Sequence, residues 1–376
     1  MLRISNLISS VVENKKERTL DGNIIIWNFT NRCNLACRHC YSYADPNSKD
    51  FLSTEFILDT INDLKKANVK FVIFSGGEPL IRKDIFDIAN AMREQNIVVY
   101  LSTNGLYIND KNVKQIISTF NYIGISIDGI KEVHDNFRGL VGAYERSIEA
   151  IKLIQKNGGN AGIRFTMTKE TQDSFYSIFD LAKSLGVNKL YLSHLVYSGR
   201  GLDNLDMDIT KEKRLEFVNF IIDKALEYHE NGTKIDIVTG NMEMDAIILL
   251  EKFSQKYPQY KEEMIKRLRS WGGNSAGVRL GNIDWMGKVK PDPFFPFTVG
   301  DIVKDSFDQV WFNDNLEILK NLRMSPRHIG GKCKNCGVLD ICNGGSRSRA
   351  YAISGDLWSE DPSCYLNDEQ RGISHG

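Results

Sequence analysis

The sequence predicts a parallel α/β fold followed by a cysteine-rich lobe, within a chain of 376 residues. Between residues 22 and 194, short β-branched runs alternate with longer segments of helical period. Repeated βα units build a parallel sheet with right-handed crossovers, either as a partial barrel or as a doubly wound sheet. In both arrangements, functional groups gather at the carboxyl ends of the strands.

The elements follow one another regularly along this repeat. The predicted strands are 23–29, 71–75, 98–102, 122–127, 163–166 and 189–193. The predicted helices between them are 54–67, 85–95, 110–120, 143–157 and 174–185. Farther on, the pattern predicts helices over 200–270 with one short strand at 235–238, turns and a hairpin over 271–300, and one helix over 305–322. We therefore divide the chain into an N-terminal segment (1–21), a barrel (22–230), a bridging region with a hairpin and helices (231–325) and a C-terminal lobe (326–376).

The composition is that of an ordinary globular protein. Lys and Arg total 48 and Asp and Glu total 48, so the net charge is zero, which argues against a nucleic-acid partner. No apolar run approaches the roughly 18 residues of a membrane span. The first 16 residues lack the small-residue cleavage site of a signal peptide, so we expect a cytoplasmic protein with reduced thiols.

Seven cysteines fall into two groups at opposite ends of the chain. The first group is Cys33, Cys37 and Cys40, and the second is Cys333, Cys336, Cys342 and Cys364. An odd number of clustered cysteines in a cytoplasmic chain favours metal sites over a disulfide framework.

The first cysteine group follows the first predicted strand directly. Three thiolates in one loop hold three irons of a cubane cluster and leave the fourth iron open to a small molecule. Two other readings are a zinc loop completed by His39 and a cysteine-rich turn without a metal.

The turns that follow carry a resemblance to a known family. CxxxCxxC is followed in order by Gly76-Gly77-Glu78-Pro79, Ser102-Thr-Asn-Gly and Ser126-Ile-Asp-Gly at successive strand ends. This set resembles the radical S-adenosylmethionine (SAM) superfamily, which implies a partial (β/α)6 barrel and a SAM-ligating [4Fe–4S] cluster on the first cysteine group. The residues that would contact SAM are Gly76, Gly77, Glu78, Pro79, Ser102, Asn104, Ser126, Asp128 and Arg164. Among them, Glu78 is expected at the ammonium, Ser126 and Asp128 at the ribose, and Arg164 at the carboxylate.

The second cysteine group has four thiolates, enough to ligate fully either one zinc ion or one [4Fe–4S] cluster. Spacing alone leaves both open. The lobe resembles the SPASM or twitch-like extension of radical SAM enzymes, which carries auxiliary iron–sulfur clusters. Since residues 278–297 contain no further cysteine, we expect one auxiliary cluster and two [4Fe–4S] clusters in all.

Further stretches are similar to radical SAM enzymes that modify tetrapyrroles. They are 191–194, 197–201, 238–241, 271–274, 281–284 and 355–362. The resemblance is to the heme d1 biosynthesis proteins and the 12,18-didecarboxysiroheme deacetylases. It implies removal of acetate or propionate side chains from a siroheme-derived macrocycle by 5′-deoxyadenosyl radical chemistry, with flavodoxin or ferredoxin as electron donor.

Substrate-binding residues are expected after the sixth strand. His194 and Tyr197 are candidates to donate a proton or to ligate the macrocycle iron, and Arg200 is a candidate to clamp a carboxylate. Further candidate arginines are Arg138, Arg347 and Arg349. Trp271 and Trp285 are candidates to stack on a flat ring. For each of these side chains a purely structural role stays open.

Two other functions are consistent with parts of the sequence. A SPASM peptide maturase shares the cysteine groups, but many such enzymes carry an N-terminal leader-peptide domain, and only 21 residues precede the first predicted strand. A non-catalytic iron–sulfur or zinc protein leaves the glycine-containing turns without an explanation.

Overall fold

The computed structural model describes residues 1–15 and 21–372. Residues 16–20 of the predicted N-terminal segment and 373–376 of the predicted lobe lie outside the described residues. The strands are β1 (Asn23–Thr30), β2 (Val69–Gly76), β3 (Val98–Thr103), β4 (Tyr122–Ser126), β5 (Ala161–Met167), β6 (Lys189–His194), β7 (Asp236–Gly240), β8 (Leu280–Ile283), β9 (Lys288–Lys290) and β10 (Gly300–Asp301). The helices are α1 (Ile4–Val12), α2 (Thr54–Lys66), α3 (Ile85–Glu94), α4 (Val113–Thr119), α5 (Glu132–Arg138), α6 (Ala143–Lys156), α7 (Phe175–Ser184), α8 (Arg200–Asp203), α9 (Lys211–Asn231), α10 (Asp245–Lys256), α11 (Lys261–Trp271), α12 (Phe307–Trp311), α13 (Glu317–Leu322), α14 (Leu339–Cys342) and α15 (Arg347–Ser354).

All ten strands form one sheet in the order β10-β9-β8-β1-β2-β3-β4-β5-β6-β7. Strands β1 to β7 pair in parallel with their sequence neighbours, and β8 joins β1 in parallel on the other side. The hairpin of β8 and β9 is antiparallel. The predicted parallel α/β fold is confirmed. The six predicted barrel strands are extended into a longer parallel sheet by β7, which matches the short strand predicted at 235–238, and by β8.

The helices cover the outer face of the sheet with their apolar sides. In α6, Ser147, Ala150, Ile151 and Ile154 are fully buried, which is the spacing of one helical face. Helix α2 begins after Ser53, whose side chain accepts a hydrogen bond from the Phe56 backbone amide. This packing buries the outer face of the parallel strands, whereas Ser102, Ser126 and Arg164 face the cavity and are only partly buried.

The prediction of a single helix over 305–322 is wrong. The structure has two short helices, α12 and α13, separated by the sequence Asn313-Asp314-Asn315. The Asn313 side chain accepts a hydrogen bond from the Asn315 backbone amide, a turn that competes with helical hydrogen bonding. Helix α1, in the N-terminal segment, was not predicted. The domain boundaries at 21/22, 230/231 and 325/326 stay a prediction.

The C-terminal lobe is tied to the barrel by buried arginines. Arg349 forms an ion pair with Asp361 at 2.7 Å within the lobe and also donates to the Leu195 carbonyl after β6. Arg327 donates to Asn274 and to the carbonyl of Ala276. These bonds fix the lobe over the carboxyl ends of the strands. None of the described helices is long and apolar enough to cross a membrane.

Candidate active site

A cavity opens at the carboxyl ends of the parallel strands, where the sequence predicts functional groups. Its lining includes Cys33, Cys37, Cys40, Gly76, Gly77, Ser102, Asn104, Ser126, Arg138, Arg164, Tyr191, Arg200, Asn241, Glu243, Asn274 and Asp292. They follow β1 to β7 in turn, and the wall is completed by segments before β8 and after β9. The cavity therefore collects residues from the whole sheet.

The first cysteine group reaches this cavity on a loop that two arginines hold in place. The Arg138 Nη1 group lies 3.6 Å from the Cys37 sulfur and donates to it. Arg200 donates from Nε to the Cys37 carbonyl at 2.7 Å and from Nη1 to the Ala44 carbonyl at 3.2 Å. Its backbone amide also donates to the Cys40 carbonyl. Both arginines put positive charge beside the sulfur donors.

The three thiols are close enough to influence one another. Burial, the Glu78 carboxylate and the other two thiols raise the pKa of Cys33 to about 12. Burial also raises the pKa of Cys37, against the effect of Arg138. No three His, Cys, Asp or Glu side chains of the described chain converge on a single metal ion, but the thiolates of a cubane bind separate irons. Three sulfur donors, two of them buried and that of Cys40 half-buried, lie beside two arginines and an open cavity, which fits an iron–sulfur cluster with one free iron.

The glycines after β2 serve backbone contact with this loop. Gly76 has φ of 130°, and a Cβ on it would lie 2.3 Å from the Thr30 carbonyl oxygen; on Gly77 it would lie 2.0 Å from that of Arg32. Only glycine allows this approach, which brings the loop after β2 against the segment that leads to the cysteines.

Glu78 points beneath the cavity and does not line it. Its Oε1 accepts from Thr103 Oγ1 at 2.8 Å and from the Leu80 amide, and its Oε2 accepts from the Asn104 amide at 2.8 Å. Burial raises its pKa to about 7. Glu78 thus joins the ends of β2 and β3, and Pro79 begins the short turn that follows. Neither side chain reaches a ligand in the cavity.

Asp128 is likewise a positioning residue. It is fully buried, accepts from the Thr166 amide at 2.6 Å and pairs with Arg138 and, at 3.8 Å, with His39. Burial opposes its ionisation, but Arg138, the two nearby histidines and the Thr166 amide together outweigh burial and lower the pKa of Asp128. The ribose contact expected for Asp128 does not fit this placement, because Oδ1 accepts from the Thr166 amide and Oδ2 holds Arg138 beside Cys37.

Six of the nine expected SAM contacts line the cavity. They are Gly76, Gly77, Ser102, Asn104, Ser126 and Arg164. Asn104 is held by a hydrogen bond from its Nδ2 to Asn34. The Arg164 guanidinium stacks 4.8 Å above the Tyr191 ring and forms no ion pair with another described residue. This arginine is therefore available to an anionic group of a ligand.

The residues expected to act on the substrate have different surroundings. His194 is fully buried, with Nε2 3.2 Å from Asp245 and Nδ1 3.0 Å from Arg214, and burial lowers its pKa. Tyr197 donates to Asp208 at 2.6 Å and lies 3.2 Å from the Ser363 hydroxyl. Their polar atoms are engaged by the protein, so neither is free to ligate a macrocycle iron.

The other candidate substrate-binding residues differ in whether they line the cavity. Arg347 donates to the carbonyls of Leu357 and Ser359, and Arg349 is paired with Asp361. The Trp271 indole donates to the Met1 carbonyl, and Trp285 lies edge-on to Phe51. None of the four lines the cavity. By contrast, Arg200 lines it and has a buried Nη2 without a partner among the described residues.

The second cysteine group comes together in the lobe, away from the cavity. Burial and the neighbouring thiols of Cys364 and Cys336 raise the pKa of Cys333 to about 11, and the other three thiols likewise raise that of the more deeply buried Cys342. Arg371 donates to the Cys364 sulfur at 3.2 Å. Four sulfur donors in one place fit a fully ligated metal centre.

Two buried carboxyl groups in the cavity were missed by the sequence analysis. Glu243 follows β7 and is 5% exposed; its Oε1 accepts from Asn274, and its Oε2 has no partner among the described residues. Asp292 follows β9, and burial and the nearby Glu243 raise its pKa to about 6. The only available signal was the position of Glu243 shortly after a predicted strand.

Comparison with known proteins agrees with this arrangement. The profile of the Radical SAM superfamily matches residues 27–182. The chain is 36% identical to the Pre-heme d1 synthase of Dinoroseobacter shibae, over 100% of this chain and 94% of that protein. It is 34% identical to the Fe-coproporphyrin III synthase of Methanosarcina barkeri, over 93% of this chain and 89% of that protein. At lower identity, 28%, it matches the Mycofactocin maturase MftC of Mycobacterium tuberculosis over 95% of this chain and 87% of that one.

Among solved structures, SuiB of Streptococcus suis bound to S-adenosylmethionine superimposes with a TM-score of 0.72 and 17% identity, over 92% of this chain and 78% of that chain. This likeness shows a shared fold. Together with the three thiols at the cavity, the sequence matches settle the family. The chain belongs to the radical SAM superfamily, in the family that includes these two synthases, whose members bind SAM and a [4Fe–4S] cluster.

Proposed function

We propose that this chain is an enzyme of heme or heme d1 biosynthesis that removes acetate or propionate side chains from the siroheme-derived tetrapyrrole 12,18-didecarboxysiroheme. The observation that carries the proposal is the similarity, over nearly the whole chain, to two synthases named for tetrapyrrole products. The reaction takes place in the cytoplasm, where thiols stay reduced.

The cavity residues divide between cofactor and substrate. Cys33, Cys37 and Cys40 hold the first cluster, which with SAM supplies hydrogen-atom abstraction from an unreactive carbon. Arg138 and Arg200 fix the cysteine loop so that its open side faces the cavity. The proposed SAM contacts are the backbone of Gly76 and Gly77 and the side chains of Ser102, Asn104, Ser126 and Arg164.

The C-terminal lobe holds a second [4Fe–4S] cluster on Cys333, Cys336, Cys342 and Cys364 under this proposal. Four thiolates leave no open iron, so its role is to carry electrons between the substrate and a donor such as flavodoxin or ferredoxin. At the cysteine loop, the unpartnered Nη2 of Arg200 is a donor available to a substrate carboxylate.

The test is anaerobic incubation of the reconstituted enzyme with SAM, a reductant and 12,18-didecarboxysiroheme, followed by mass spectrometry of the tetrapyrrole. We expect loss of side-chain mass that depends on SAM and parallels formation of 5′-deoxyadenosine. An unchanged tetrapyrrole contradicts the proposal.

A peptide maturase is the second candidate, because a mycofactocin maturase matches most of the chain at 28% identity. The same incubation with a precursor peptide in place of the tetrapyrrole distinguishes the two. A mass change of the peptide, without one of the tetrapyrrole, favours the maturase.

A further inference from the structure

Glu243 is a buried carboxyl group whose charge nothing in the described chain neutralises directly. It is 5% exposed, forms no ion pair with a described residue, and its Oε2 has no hydrogen-bond partner among them. A carboxylate taken out of water is costly unless it meets a cation or a hydrogen-bond donor. The Met1 α-ammonium lies within electrostatic range but forms no ion pair with Glu243. Because Glu243 lines the cavity, a bound ligand is a further source of a partner for Oε2.

The side chain is held in one orientation by a chain of hydrogen bonds. Glu243 Oε1 accepts from Asn274 Nδ2 at 3.1 Å, and Asn274 Oδ1 accepts from Arg327 Nη1 at 3.0 Å. Arg327 is 1% exposed and also donates to the carbonyls of Asn274 and Ala276. Carboxylates that ligate metals are typically fixed in this way by a second hydrogen-bonded residue, which leaves the other oxygen free.

The position of Glu243 assigns it to the substrate side of the cavity. The proposed SAM contacts lie at the ends of β2 to β5, whereas Glu243 follows β7 and Asn274 precedes β8. The hydrogen bond between Glu243 and Asn274 therefore spans the two flanks of the parallel strands, across the cavity from the SAM contacts. A partner for Oε2 comes from the substrate.

The chemistry of the proposed substrate narrows the partner to one atom. A siroheme-derived macrocycle carries several carboxylates, which repel an ionised Glu243, and a single cationic centre, its iron. Arg327, Arg347 and Arg349 lie within electrostatic range of Glu243, while each is hydrogen-bonded elsewhere. Carboxylate oxygen is an established ligand for iron in proteins.

We propose that Glu243 binds the iron at the centre of the tetrapyrrole substrate through Oε2. This assignment rests on the proposed function, since it needs an iron macrocycle in the cavity. It replaces His194 and Tyr197, whose polar atoms are already engaged. Fixing the iron sets the height and tilt of the ring, and so determines which side chain lies toward the SAM contacts.

The test compares binding of 12,18-didecarboxysiroheme with that of its metal-free form to the anaerobic holoenzyme, followed by absorbance. We expect the iron form to bind at least about tenfold more tightly to the unaltered enzyme, a difference of about 1.4 kcal/mol. In Glu243→Gln the two forms should bind equally, because an amide keeps the shape and the hydrogen bond but is a poor ligand. Glu243→His should restore the iron preference with a different spectrum.

Controls separate ligation from folding and from the proposed function itself. The iron content of each variant shows that both clusters are retained, and Asp292→Asn, on the same cavity wall, should keep the iron preference. Equal weakening of both tetrapyrroles in Glu243→Gln, or an unchanged iron preference, overturns the ligation. Binding of neither tetrapyrrole by the unaltered enzyme overturns the proposed function and the ligation together.

Discussion

The two cysteine groups differ in access to the cavity more than in their immediate surroundings. Each has an arginine that donates to a sulfur, Arg138 to Cys37 at 3.6 Å and Arg371 to Cys364 at 3.2 Å. The three thiols of the first group all line the cavity, whereas the four of the second group lie outside it. The number of thiols agrees with this difference. The group with three thiols faces a cavity with room for a further ligand of the cluster, and the group with four needs no further ligand.

The largest expected effect follows from removing the group that has access. Replacing Cys33, Cys37 and Cys40 together with Ala should abolish cleavage of SAM to 5′-deoxyadenosine, because no open iron remains to bind it. The lobe should still hold about four irons after anaerobic reconstitution, as one cubane does. Chromatography of the nucleoside and iron analysis measure the two results. Undiminished SAM cleavage in this variant breaks the comparison.

Removing cysteines of the second group, which lies outside the cavity, should separate SAM cleavage from modification of the tetrapyrrole. In the variant Cys333→Ala with Cys336→Ala, we expect about four irons fewer and no modified tetrapyrrole, with SAM cleavage retained. The reason is that no described residue of the lobe lines the cavity, so the proposed SAM contacts stay intact. If protein purified without oxygen contained zinc and no iron in the lobe, the second cysteine group would be a structural zinc site and not a cluster site.

A matched pair of arginine variants sharpens the comparison on a smaller scale. Arg200→Ala removes two side-chain bonds to carbonyls of the cysteine loop, and Arg371→Ala removes those to Cys364 and the Leu366 carbonyl. A hydrogen bond to a charged group contributes about 1.5–3 kcal/mol, so each variant should release iron roughly tenfold or more faster from its own cluster. Release to a chelator, followed by absorbance, measures this rate. Equal loss from both clusters in either variant would show that the arginines act on overall stability.

The sequence predicts the strands and the cysteine groups well because both are local signals. Alternating β-branched runs locate β1 to β6 within a few residues, and CxxxCxxC is complete within eight positions. Side-chain direction at a strand end is decided by the neighbouring strand, which local sequence does not reveal. Glu78 and Asp128 therefore occupy the expected turns but bond to the backbone of Asn104 and Thr166.

The cavity wall beyond the SAM contacts depends on long-range packing. Glu243 and Asn274 are 31 residues apart in the chain, and Glu243 belongs to none of the motifs. His194 is a similar case. Its two hydrogen-bond partners, Asp245 and Arg214, lie on helices that start after the predicted barrel strands. A histidine at a strand end looks the same in sequence whether or not such partners exist.

The smallest expected effect concerns the contact that joins the two regions. Tyr197 donates to Asp208 and lies 3.2 Å from the Ser363 hydroxyl, next to Cys364 of the second group. In Tyr197→Phe, Asp208 keeps its ion pair with Arg214 at 2.8 Å, so no charge is left unpaired. We expect a loss of about 0.5–1.5 kcal/mol in the free energy of unfolding, the usual contribution of one hydrogen bond.

For a protein of this size, such a loss lowers the midpoint of thermal unfolding by a few degrees at most. SAM cleavage and tetrapyrrole modification by the variant should stay close to those of the unaltered enzyme below that temperature. Tyr197 would then serve to fix the lobe against the barrel. A variant with an unchanged melting midpoint and no modified tetrapyrrole would instead make the Tyr197 hydroxyl a group that acts on the substrate, and would place part of the reaction at the boundary between the two regions.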